Sequence, residues 1–304
     1  MSATAAPPAA PIGPVRSIGV TGKSHSEPAA AAVRDAIAWL GQRPVRVVVD
    51  EVTARGAGLN GGERCPREEL PAAVDLVLVL GGDGTLLSVA HVVAAVAPDT
   101  PVLAVNCGSL GFLTEITRPE MTEALQLALD GRALIDLRPM ARAFIRRGDR
   151  ELADRTVLND LVVQRSARSS IIDVAITVRG HLVTRWRADG VMVATPTGST
   201  GYNLAAGGPI VYPTVGALII TPIAPHSLTQ RPVVIPDDAP VTLRPDLRGS
   251  HREAAATFDG QMSVELEEGD AVQIERAPHP LRVVRSESRH YFGVLREKLQ
   301  WGGG

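Results

Sequence analysis

Between positions 81 and 85 the chain reads Gly81-Gly82-Asp83-Gly84-Thr85. Three glycines in five residues let backbone N–H groups approach a phosphate with no Cβ in the way. The one carboxylate in this turn is Asp83. Among phosphates an acidic side chain is electrostatically misplaced unless it takes a proton from a hydroxyl or helps to hold Mg²⁺, so its presence points to phosphoryl transfer rather than simple phosphate binding. The structural alternative is a tight turn in which Asp83 caps the following helix. Three later stretches also concentrate polar chemistry. Asn159-Asp160 sets an amide beside a carboxylate inside a strand-like run and suits sugar hydroxyls or base edges, although Asn-Asp is also an ordinary turn dipeptide. Arg187-Ala188-Asp189-Gly190 leads through a strand into Thr195-Pro196-Thr197-Gly198-Ser199-Thr200-Gly201-Tyr202, a dense set of hydroxyls with one ring, fit either for a polar ligand or for capping a helix from Asn203. Phe258-Asp259-Gly260-Gln261 is a hairpin turn or a lining for the same ligand. His226 reads better as a packed histidine than as a catalytic one.

Two spellings fail their context test. Gly56-Ala57-Gly58-Leu59-Asn60-Gly61 has the GxGxxG spacing, but it lies beyond its strand, and Glu63 to Pro66 stand where a helix should open, so a mobile surface loop is expected. Gly22-Lys23-Ser24 completes the tail of a Walker A loop while Ser17 occupies the place of its first glycine.

The elements that position these residues follow from periodicity. Val74 to Leu80 is a short apolar run suited to a strand buried on both faces, and Leu86 to Ala97 suits a helix, so the glycine turn falls at the carboxyl end of a strand, where open α/β sheets gather ligands. Strands at 15–20, 44–49 and 101–105 and helices at 29–40 and 119–129 continue an alternating β and α pattern. Beyond residue 135, short alternating runs succeed one another through 281–285 and predict a second, largely β domain. The expected organisation is a disordered Ala- and Pro-rich tail at 1–14, a Rossmann-like α/β domain at 15–135, a β-sandwich domain at 136–285, and a terminal segment at 286–304 that packs back on the first domain.

Composition narrows the class. The chain has 304 residues, 45% hydrophobic and 21% charged, with a formal net charge of −2 and only 3% aromatics. A balance without basic excess argues against nucleic acid or an anionic membrane as principal partner. Lysine occurs only at Lys23 and Lys298 among 31 Lys and Arg residues, for which biased codon usage is a better reading than a functional cause. Two cysteines are too few for a disulfide framework or a thiolate zinc site, and a reducing cytoplasm fits.

Taken together, the motifs resemble the NAD kinase family. The resemblance rests on Gly81 to Thr85, Leu158-Asn159-Asp160, Arg187 to Tyr202, Gly207-Gly208-Pro209, Thr221-Pro222, Pro225-His226-Ser227-Leu228, Arg231-Pro232, Phe258 to Gln261 and Lys298-Leu299-Gln300-Trp301-Gly302, in family order. Lipid kinases share such a glycine turn, but the TPTGST segment and the FDGQ turn favour the nucleotide-phosphorylating branch, and the acceptor segments here are polar.

The resemblance implies transfer of the terminal phosphoryl group of ATP or polyphosphate to the 2′-hydroxyl of the adenosine ribose of NAD, giving NADP, with a divalent metal such as Mg²⁺. It assigns Asp83 to the acceptor hydroxyl and Gly81, Gly82, Gly84 and Thr85 to phosphates. Phe112, in Gly108 to Thr114, is placed against the dinucleotide. Asn159, Asp160, Arg187, Asp189, Thr200, Gly201, Tyr202, Ala205, Asp259 and Gln261 are placed around NAD, some from a neighbouring subunit, so a homodimer or homotetramer is expected. Three positions depart from the family pattern: Asp160 where Glu is usual, Gly201 where Ala is usual, and Ala205 where Ser is common. A free aspartate titrates at about 3.9 and a ribose hydroxyl is a far weaker acid, so a carboxylate acts only late, as charge leaves the acceptor oxygen.

Overall fold

The computed structural model of the chain describes residues 11–166, 169–248, 252–286 and 288–301. Its contacts divide into two units, Met1–Leu137 with Leu281–Gly304, and Arg138–Pro280.

In the first unit β1 (Ser17–Gly22), α1 (Glu27–Leu40), β2 (Arg46–Asp50), α2 (Glu51–Gly56), β3 (Glu63–Cys65), β4 (Leu76–Gly81), α3 (Asp83–Val96) and β5 (Val102–Asn106) follow one another. The strands lie in the order β3-β2-β1-β4-β5, and these neighbours are all parallel. Every residue of β4 and β5 is buried, as apolar strands covered on both faces must be. From β1 the chain winds outward to β3, then returns to lay β4 on the other side of β1. The order therefore reverses between β1 and β4, and the crevice beyond the carboxyl ends of such a pair is where open α/β sheets bind ligands. Gly22 pairs with Leu80 across this point, and the Lys23 N–H donates to the Leu80 carbonyl at 2.9 Å. The loop after β1 is braced from β2: Thr53 Oγ1 accepts the Gly22 N–H at 2.7 Å, Asp50 caps α2 through the Thr53 N–H at 2.9 Å, and Arg67 donates to the Gly22 carbonyl at 3.2 Å.

Several stretches differ from the sequence expectation, each for a physical reason. Residues 51–56 form α2, so Gly56 ends a helix; the GxGxxG spelling opens no helix and leads instead to the short strand β3. The run at 281–285, expected in the second domain, supplies the strand Leu281–Val284, which pairs in parallel with β5 in the first sheet. Alternation predicts a strand but not the sheet it joins. Of the expected tail at 1–14, residues 1–10 lie outside the described residues, whereas Pro11 bridges Leu134, the Ile12 N–H donates to the Ala133 carbonyl at 3.1 Å and the Ile12 side chain is buried, so Pro11 and Ile12 pack on the first unit.

At the other end Tyr291–Leu299 is a helix of the first unit whose entry is fastened to Glu120 by Arg289 at 2.5 Å and Ser288 at 2.6 Å. Burial works against the Glu120 charge, but hydrogen bonds from Ser288, Thr117 and Arg289 hold its carboxyl down at about 2. Gly302 lies outside the described residues.

The second unit is built on two antiparallel sheets. One runs in the order Val233–Pro236, Ala217–Ile223, Gly190–Ala194, Asp160–Arg165, Ala254–Phe258, Met262–Leu266. The other runs His181–Ala188, Ile172–Val178, Val241–Asp246, Ala271–Arg276, Ala141–Arg147, Arg150–Val157. Leu161, Val193 and Phe258 from the first and Ile145, Val174 and Leu243 from the second belong to one buried cluster, which makes the pair a sandwich. The run 157–164, expected as one strand, is broken: the chain leaves one sheet at Val157 and enters the other at Asp160. No helix among the described residues is long and apolar enough to cross a membrane.

Candidate active site

Asp83 opens α3 directly beyond β4. Its carboxylate is gripped by the loop after β5: Oδ1 accepts the Leu113 N–H at 3.2 Å, the Thr114 N–H at 3.1 Å and the Thr114 hydroxyl at 2.9 Å, and Oδ2 accepts the Phe112 N–H at 2.9 Å. A carboxylate offers about four lone-pair sites. Oδ1 is fully occupied, and Oδ2 keeps capacity for one more donor. Asn106, at the end of β5, donates to the Thr114 hydroxyl at 2.8 Å and accepts the Gly108 N–H at 2.7 Å, which fixes the loop that fixes Asp83. Two glycines are required by close approach. A Cβ on Gly111 would stand 1.9 Å from Asp83 Oδ1, and one on Gly81 would stand 2.3 Å from Thr85 Oγ1. Gly82 and Gly84 face open space. The first intrahelical N–H bonds come from Thr85 and Leu86 to the Gly82 carbonyl, so those of Asp83 and Gly84 precede the ladder, as first-turn donors do. Phe112 stands in the same unit with the Lys298 ammonium 5.7 Å from its ring centre.

The second constellation grows from the corner at 158–159 of the second unit. A chain that changes sheets leaves ladder donors without partners, and a buried N–H must find one. Asp259 supplies it: its carboxylate accepts the Leu158 N–H at 2.8 Å, the Asn159 N–H at 2.7 Å and the Asp160 N–H at 3.0 Å. The turn Phe258 to Gln261 presents that carboxylate. Asp259 and Gly260 both have positive φ, 47° and 65°, and the Gln261 N–H closes on the Phe258 carbonyl at 2.8 Å, the geometry for which Asp-Gly is suited. On the corner's other side the Thr195 N–H and hydroxyl donate to the carbonyls of Asn159 and Leu158 at 2.8 and 2.5 Å. A Cβ on Gly198 would fall 2.2 Å from the Asn159 oxygen. Asn159, Asp160, Tyr202, Asp259 and Gly260 share a cavity of about 300 Å³ with Val162, Gln164 and Thr257. The Asn159 Oδ1 is buried and has no hydrogen-bond donor among the described residues.

Asp160 is buried in this cavity, and its carboxyl receives none of the three corner N–H groups, which all go to Asp259. Burial first, and the charge of Asp259 second, push the Asp160 carboxyl up to about 7. Burial also raises Asp259, to about 6, against the three N–H bonds. A carboxyl that holds its proton to higher pH when folded makes the folded form bind more protons between about pH 4 and 7, so its contribution to stability falls as pH rises through that window. Asp160→Asn removes this penalty. The thermal midpoint of the variant should exceed that of the unaltered chain at pH 8, with the gain shrinking to nothing near pH 4; a constant difference across pH would contradict the assignment.

Other residues named from the sequence stand elsewhere. Asp189 is ion-paired with Arg165 at 2.6 Å, and Arg187 is exposed on Ile172–Val178's partner strand His181–Ala188. Thr200 is buried in the turn Thr197–Thr200, and its hydroxyl donates to the Thr197 carbonyl at 3.4 Å. Ala205 and Gln261 are exposed. Gly201 lies beside Asn159, where an added Cβ would come 3.3 Å from Nδ2, so the glycine leaves the Asn159 amide more room than alanine would. His226 donates its backbone N–H to the Arg187 carbonyl at 3.0 Å. Asn106, Gly111, Thr114, Thr195 and Gly198 are supporting residues that sequence reading missed as such. Asn106 ends a buried strand next to the reversal point, and that position was the available signal.

Stretches of both units match known protein families. Residues 18–133 match the family described as ATP-NAD kinase N-terminal domain, and residues 158–286 match ATP-NAD kinase C-terminal domain, which defines the class of protein: a phosphotransferase built from these two domains. The NAD kinase of Geotalea daltonii is 42% identical over 288 residues, spanning 95% of this chain and 99% of that protein, and that of Geobacter sulfurreducens is equally similar, with 42% identity over the same shares. The crystal structure of an NAD kinase from Archaeoglobus fulgidus in complex with ATP superposes with a TM-score of 0.72 at 28% identity, covering 92% of this chain and 98% of that one. Yeast NADH kinase complexed with NADH shares the fold, with a TM-score of 0.87 at 24% identity over 96% of this chain and 89% of that one. The chain belongs to the NAD kinase family.

Proposed function

We propose that this kinase transfers the terminal phosphoryl group of ATP to the 2′-hydroxyl of the adenosine ribose of NAD, giving NADP. The observation that carries the reading is the Asp83 carboxylate, held by four donors from the loop 112–114 so that one acceptor site on Oδ2 remains. A hydroxyl hydrogen-bonded there is aligned for attack; as its oxygen bonds to the terminal phosphorus, the bond from that phosphorus to the bridging oxygen of ATP breaks and ADP leaves, and the hydroxyl proton passes late to Oδ2. Alignment accounts for most of the acceleration in such a loose transition state. The N–H groups at the start of α3 receive phosphate oxygens over the bare glycines. In the second unit the Asn159 amide and the Asp160 carboxyl receive the hydroxyls or base edge of the adenosine, with the exposed Tyr202 ring beside them. Asp160, one methylene shorter than the usual Glu, reaches its contact directly or through a water.

Among the described residues no three His, Cys, Asp or Glu side chains cluster as a metal cage. A divalent ion such as Mg²⁺ would come in on the nucleotide phosphates and supply neutralisation of their charge, while the remaining Asp83 site stays with the acceptor hydroxyl. The family resemblance supports a homo-oligomer acting in the cytoplasm, with Arg187 and Asp189 contributed to a neighbouring subunit's pocket. Incubation of the purified protein with MgATP and NAD should generate NADP, detected by an NADP-specific dehydrogenase. Hydrolysis of ATP with no NADP formed would overturn the reading.

A further inference from the structure

The chain has only two lysines among 31 Lys and Arg residues, Lys23 and Lys298. Compositional bias explains why arginine is common; it does not explain where lysine remains. Both lysines belong to the unit that holds the Gly81–Thr85 turn. Lys23 directly follows β1, and Gly22 before it pairs with Leu80, the residue that precedes Gly81. Its N–H is fastened to the Leu80 carbonyl at 2.9 Å, and Gly22 before it is held by Thr53 and Arg67. Lys298 comes from the C-terminal helix, its ammonium 5.7 Å from the Phe112 ring centre, and Phe112 is the residue whose N–H holds Asp83 Oδ2. Both side chains are exposed, and neither forms an ion pair among the described residues. The turn between them carries a carboxylate and no cation of its own.

We propose that Lys23 and Lys298 are the two cations of the phosphoryl-donor site, flanking the glycine turn from β1 and from the C-terminal helix and binding the oligophosphate of the donor nucleotide. The proposal rests on the kinase reading above. It also accounts for the residue type. An arginine fork fixes a planar pair of oxygens, whereas an ammonium is a compact point charge with three rotatable donors, able to follow a phosphoryl group as it moves between two oxygens. The Walker-like spelling at 22–24 thus fails as a P-loop, yet its lysine sits at the reversal point of the strand order, where phosphate charge gathers.

Calorimetric titration of MgATP into the full chain and into Lys23→Ala, Lys298→Ala, Lys23→Arg and Lys298→Arg, beside steady-state kinetics, tests this. Each Ala variant should bind MgATP at least tenfold more weakly and raise KM for ATP in parallel, with KM for NAD within twofold and an unchanged unfolding temperature. The Arg variants should regain most of the binding while kcat stays at least fivefold low. Unchanged MgATP affinity in an Ala variant removes that lysine from the donor site. Equal loss of NAD and ATP affinity with a lowered unfolding temperature assigns it a structural role instead. Wild-type protein that binds MgATP in a lysine-dependent way but forms no NADP sinks the kinase reading and leaves the lysines assigned; NADP formation with lysine-independent affinity sinks the lysines alone.

Discussion

Asp83→Asn should lower kcat by a factor of about 10² to 10⁴, the range typical of losing a positioned acid or base, while KM for NAD moves by no more than about threefold. The amide keeps one oxygen for Thr114 and Leu113 but turns the other acceptor into an NH₂ group, which cannot take the Phe112 N–H and cannot receive the ribose proton. A buried donor left unmatched costs about 1–3 kcal/mol, so the same variant should also lose a few degrees in thermal midpoint. The two effects separate: the stability loss reports the grip of the 112–114 loop, and the kcat loss reports the chemistry. A variant with near-normal kcat and the expected fall in midpoint would leave Asp83 as a structural cap of that loop and end its role at the acceptor hydroxyl.

The second large effect is expected at Asp259. Asp259→Gly accommodates the left-handed turn conformation and deletes the whole side chain, so the N–H groups of Leu158, Asn159 and Asp160 lose their acceptor together. With about 1–3 kcal/mol for each donor left unmatched, partly offset by water entering the cavity, the corner should lose roughly 3 kcal/mol or more. Asn159 and Asp160 are the residues that this corner presents, so NAD affinity should fall at least 100-fold. Calorimetric titration with NAD, beside a thermal unfolding curve, checks both. Normal NAD binding would show that the corner is a structural joint with no part in the ligand site.

Legibility in the sequence followed the range of the interaction. The glycine turn was readable because strand, turn and helix are contiguous, and β4 being buried throughout is what its unbroken apolar run requires. The polar pair Asn159-Asp160 was visible as an interruption of alternation, but its cause, a change of sheet, was not, since nothing local states which sheet a strand will join. Asp259 looked like a hairpin residue and is one; its grip on residues 158–160 spans about a hundred positions and leaves no local trace. The same holds for the strand Leu281–Val284, whose pattern suits either unit, and for Gly111, whose need to be glycine arises only from the carboxylate lying against it. The Walker A test at 22–24 concerns the loop's own length, whereas the hydrogen bond of the Lys23 N–H to Leu80 depends on β4 returning beside β1.

The central claim is that one ribose hydroxyl, aligned on Asp83, is the phosphoryl acceptor. A single-turnover experiment with excess enzyme and ATP labelled with ³²P at the terminal phosphate, run with NAD and with its analogue lacking the adenosine 2′-hydroxyl, tests it most directly. Label should pass to NAD and not to the analogue, although both bind. Label appearing on the analogue would contradict the account.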